Sequence, residues 1–82
     1  MGEHSHAFVE TYRGPVALGL SREVDEASFM VFLQKFSDDR LLYVLRSRLS
    51  DEEIQRTVDW LTTLMKRHLS DEEYHSLFLK DE

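Results

Sequence analysis

Eighty-two residues with a formal net charge of -6 and no cysteine describe one small domain with no disulfide, no thiolate metal site and no thiol nucleophile. Its stability must come from packing, helix capping or self-association. No apolar run approaches the ~20 residues of a membrane span, and no charged-then-apolar leader opens the first thirty residues, so the expectation is a cytoplasmic protein without a membrane segment.

Charge is unevenly spread. Residues 1–36 hold five acids and three bases, 37–68 six and six, and 69–82 five and one. Nucleic-acid affinity comes largely from clustered Lys and Arg neutralising phosphates, and acids interspersed among the bases disfavour it. All three glycines and the one proline lie within the first nineteen residues, which divides the chain into an N-terminal arm, 1–22, and a helical domain, 23–82.

In the arm, "HAFVETYRGPVALGL" carries two short apolar segments about an Arg13-Gly14-Pro15 turn, with faint alternation through Phe8, Glu10 and Tyr12. An extended arm or small hairpin, laid over the helices, is expected. His4 and His6 follow Glu3 and are the weak candidates for binding a metal through imidazole, although a chain terminus rarely supplies a rigid ligand frame.

Beyond the arm the apolar residues recur at helical spacing, giving an all-α reading with four helices. The first covers about 23–36, with Phe29, Phe32, Leu33 and Phe36 as its main face. Met30 and Val31 stand off that face and are candidates for partner binding. The second covers about 38–48, with Leu41, Leu42, Leu45 and Leu49 on one side, and Ser37 as its expected cap. The third, about 51–68, has the cleanest stripe, Ile54, Val58, Leu61 and Met65, with Trp60 on its flank as a further partner-binding candidate. The fourth, about 71–79, presents Tyr74, Leu77 and Phe78.

Helix starts are spelled out in the sequence. Leu-Ser-Asp-Glu-Glu occurs at 49–53 and again at 69–73. Ser50 with Glu53, and Ser70 with Glu73, have the spacing of reciprocal capping boxes, with apolar residues on either side suited to a staple. The acids complement the positive end of each helix dipole, while Arg46, Arg48, Lys66, Arg67 and His68 close the preceding helices. Joints this short, without a terminal glycine, favour steep crossings, hence a compact orthogonal cluster.

No Gly-x-Ser-x-Gly elbow or phosphate-binding glycine loop is present, and a fold of this size offers little room for a catalytic cleft, so the expectation is no enzyme and no cofactor. His68 and His75 are seven apart across a joint and read as a helix-terminal and a surface histidine before they read as a site. The reading that remains is a non-catalytic protein-protein interaction or regulatory module whose partner is another protein or a second copy, as a homodimer. Two alternatives stand beside it: a helix-turn-helix DNA reader using Arg40, Arg46, Arg48 and Arg56, and a His-dependent metal-binding protein.

Overall fold

The computed structural model describes residues 6–81. The chain is all-α: α1 (Ala7–Thr11), α2 (Arg22–Phe36), α3 (Asp39–Arg46), α4 (Asp51–His68) and α5 (Asp71–Glu73), the last running directly into a π-helical stretch, Tyr74–Leu79. No described helix is long and apolar enough to cross a membrane. The chain divides after Arg48 into two compact units, the described residues up to Arg48 and those from Leu49 onward.

The extended arm or hairpin expected at the N-terminus is replaced by a helix. Residues 7–11 form α1, and no strand occurs among the described residues. A four-residue spacing satisfies both a strand period and a helix period, and Phe8 and Tyr12 use it helically, stacking with ring centroids 5.1 Å apart. Tyr12 then turns the chain: its hydroxyl donates to the Pro15 carbonyl at 2.8 Å. Its ring lies where a β-carbon on Gly14 would stand, which is why a residue without a side chain occupies that position.

From His6 to Gly19 the chain runs antiparallel along α2, held by side chains of that helix. Ser37 bonds the His6 ring at 2.7 Å, and the Gln34 carbonyl oxygen accepts from the Val9 amide at 2.8 Å. Ser28 both accepts from the Ala17 amide and donates to the Ala17 carbonyl, each at 2.8 Å, and Asp25 accepts from the Gly19 amide at 2.8 Å. Gly19 has φ +93°, a conformation that glycine adopts without steric cost. Val9 lies in the first turn of α1, whose amides have no intrahelical acceptor, so Gln34 supplies a partner that α1 cannot supply itself.

α2 therefore buries a different face from the one expected. Val31 is 6% exposed and Ser28 3% exposed, whereas Phe29 and Phe32 are more than half exposed. The covering element is a backbone segment, and it approaches a small polar residue and a β-branched one more closely than it could approach three phenylalanines. The helix begins at Ser21, whose hydroxyl accepts from the Val24 amide at 3.2 Å.

α3 starts one residue later than expected: Asp38, rather than Ser37, caps it, accepting from the Leu41 amide at 3.1 Å, while Ser37 ends α2. α4 and α5 each open on a complete capping box. The Ser50 amide donates to Glu53 at 2.8 Å and the Glu53 amide to the Ser50 hydroxyl at 3.0 Å; at Ser70 and Glu73 the same bonds measure 2.8 and 3.1 Å.

Two stability measurements check these contacts. Ser28→Ala strands the Ala17 amide and carbonyl in a part-buried position and is expected to cost about 1–3 kcal/mol in urea denaturation followed by circular dichroism; a loss below the measurement error would remove Ser28 as the tie. Ser50→Ala is expected to cost about 0.5–2 kcal/mol, while Ser47→Ala, which loses only a bond to its own helix's Val44 carbonyl, should change stability far less.

Candidate interaction surface

α4 is eighteen residues long and spans about 27 Å. Its apolar residues fall on one side because they step by four, three and four positions, the period of one helix face. That side is open to solvent: Ile54 and Leu61 are each 41% exposed and Val58 55%. Leu64 and Met65 are half-buried, and Met65 lines a groove with Leu69 and Tyr74 at the joint with α5. Trp60, on the flank, is 59% exposed. The far side is polar and internally satisfied, with Arg56 paired to Glu52 at 3.0 Å and the Gln55 amide donating to Asp59 at 2.9 Å.

The three residues expected at a partner surface meet different fates. Trp60 is exposed beside the α4 stripe. Met30 is 41% exposed on α2, where it lines a shallow depression with Phe29, Arg22, Asp25 and Glu26. Val31 is buried, between Ser28 and Gln34, which bind the N-terminal segment, and is not available to a partner. The exposed aromatic residues of α2 are instead Phe29 and Phe32, the latter stacked on Phe36 at 6.4 Å.

His6, His75 and Arg46 have local partners. His6 bonds Ser37, while His4 lies outside the described residues. His75 pairs with Asp81 at 3.3 Å and meets the Tyr74 ring edge-on at 5.8 Å. Among the described residues no group of three or more His, Asp or Glu side chains is arranged to hold a metal ion. Arg46 lies over the Tyr43 ring at 4.2 Å, a cation–π contact.

The C-terminal stretch closes on itself. Tyr74 stacks on Phe78 at 5.4 Å, and the His75 carbonyl accepts from the Lys80 and Asp81 amides. The wider π turn brings these groups into register. It ends at Lys80 in the left-handed conformation, φ 61°, where a β-carbon is unfavourable. No known protein family, curated protein or solved structure matches the chain.

Lys80→Gly removes the side-chain penalty at that position and is expected to stabilise the unit containing α4 and α5 by about 1 kcal/mol, read as a raised urea midpoint; an unchanged or lowered midpoint would contradict the strain assigned to Lys80.

Proposed function

We propose that the chain is a non-catalytic, cytoplasmic protein-protein interaction module that docks a protein partner, a second copy included, through the apolar face of α4. The observation that carries this reading is the exposure of Ile54, Val58 and Leu61 on a single helix face. A face of this kind, contiguous and rimmed by charge, is the usual mark of a partner surface. Its geometry suits helix-in-groove or helix-on-helix docking, where anchors at i, i+4 and i+7 enter a partner's apolar surface.

Other features agree. Glu53 and Glu73 are committed to capping boxes, and Glu52 to Arg56, so these three carboxylates serve helix formation before any chemistry. Two of the four arginines that a DNA-reading mode would use, Arg46 and Arg56, are engaged by Tyr43 and Glu52.

The test is recovery of the tagged full chain at native expression level in three forms: wild type, Val58→Glu with Leu61→Glu, and Gln55→Lys with Thr63→Lys on the opposite face. Proteins bound through α4, including untagged copies of the chain itself, should be held by the wild type and the opposite-face variant and lost from the first variant. Identical retention by all three would overturn the reading.

A further inference from the structure

We propose that the face of α4 pairs with the α4 face of a second copy, the two helices antiparallel about a two-fold axis passing between Asp59 and Trp60. This rests on the reading of α4 as the docking face and names its occupant.

The helix is written almost as a palindrome about that midpoint. Counting outward, Val58 answers Leu61, Thr57 answers Thr62, and Ile54 answers Met65; then Glu53 answers Lys66, Glu52 answers Arg67, and Asp51 answers His68. Acidic starts and basic ends complement a helix's own dipole and by themselves say nothing about a partner. The independent fact is the apolar stripe, exposed at Ile54, Val58 and Leu61 and half-buried at Met65, which is centred on the same point as the charges. A symmetric antiparallel pair can use that coincidence, because in an isologous contact residue i of one copy meets residue j of the other and j meets i, so a stripe and end charges sharing one centre face each other across the two-fold.

Antiparallel pairing places Val58 of one copy level with Leu61 of the other, and Ile54 level with Met65. At about 100° per residue, Asp51 and Lys66 lie on one flank of the stripe and Glu53 on the other, while Arg67 falls on the far side of the helix with Glu52 and Arg56. The two-fold sets each flank against the same flank of the second helix, so Asp51 of each copy approaches Lys66 of the other across the contact. Parallel pairing would set three carboxylates beside three carboxylates at one end and two cations beside two at the other. Charge thus selects the direction, and the apolar stripe supplies the attraction.

Because the sequence contains no cysteine, single introduced thiols report direction cleanly. In the antiparallel pair, position 54 lies level with position 65 of the second copy, while equivalent positions 54 are separated by about 16 Å along the axis, too far for a disulfide. Mixing Ile54→Cys and Met65→Cys full-length chains under mild oxidation should give the mixed disulfide, with little product from either alone. Self-linking of each variant with no mixed product would overturn the antiparallel arrangement.

Sedimentation of the wild type should show a concentration-dependent monomer–dimer equilibrium, weakened by salt, and loss of the dimer in Val58→Asp, with helix content checked by circular dichroism. A wild type that stays monomeric up to about 1 mM would overturn self-pairing. If that monomer still retained a different protein through the α4 face in the recovery experiment, the module reading would stand without the dimer; loss of both would remove both.

Discussion

The unit built on α2 depends on one arrangement: side chains of a helix binding the backbone of the segment that precedes it. Ser28 sits at the centre, taking both the amide and the carbonyl of Ala17, with Asp25 and Gln34 toward the two ends on Gly19 and Val9. A segment without regular structure between Tyr12 and Leu20 cannot satisfy its own peptide groups, and peptide groups taken from water need partners. Spaced three, then six, residues apart on α2, these side chains let one helix bind the segment at Gly19, Ala17 and Val9. Val31, between Ser28 and Gln34, contributes the apolar contact that polar ties leave unfilled.

The unit from Leu49 onward is organised differently. Its helices are fixed at their starts, where Ser50 and Ser70 each exchange two bonds with the glutamate three residues on. Capping settles where a helix begins and the direction from which the chain enters it, but buries little. The repeated Leu-Ser-Asp-Glu-Glu phrase thus defines local geometry with high economy while leaving Ile54, Val58 and Leu61 of the α4 stripe exposed. Helix stability in water comes mostly from packing of an amphipathic face rather than from propensity, so an exposed stripe on so regular a helix is itself a reason to look for a second surface.

What was legible in the sequence follows this division. Local rules predicted α4 to its end residues, placed the start of α5, and came within one residue of the start of α2, because capping boxes and helical spacing are short-range chemistry. Partnership between distant segments was not legible. Nothing in "FMVFL" marks Val31 as inside and Phe29 and Phe32 as outside, since a window that is apolar on most sides has no preferred face until something is laid against it. The signal, in retrospect, was Ser28: a small polar residue beside an apolar run, downstream of a segment rich in turn residues. The π-helical course of Tyr74–Leu79 was equally hidden, because the same apolar spacing serves an ordinary helix, and it is the clasp of His75 to Lys80 and Asp81 that accompanies the wider turn.

The candidate surface shows why α4 is the most informative element. Trp60 and Met30 were singled out for standing off a stripe, on the assumption that stripes become core and only their margins stay exposed. Both are exposed, and exposure extends to the stripe itself: Val58, at its centre, is nearly as exposed as Trp60 at its edge. A margin offers isolated apolar groups, which are ordinary on any surface, whereas a centre offers a continuous one with a direction along the helix axis. Direction is what lets charge discriminate between partners, since a helix acidic at one end and basic at the other presents opposite signs to approaches from opposite senses. The same residues that start and stop α4 thereby rank the ways in which a second helix can lie against it.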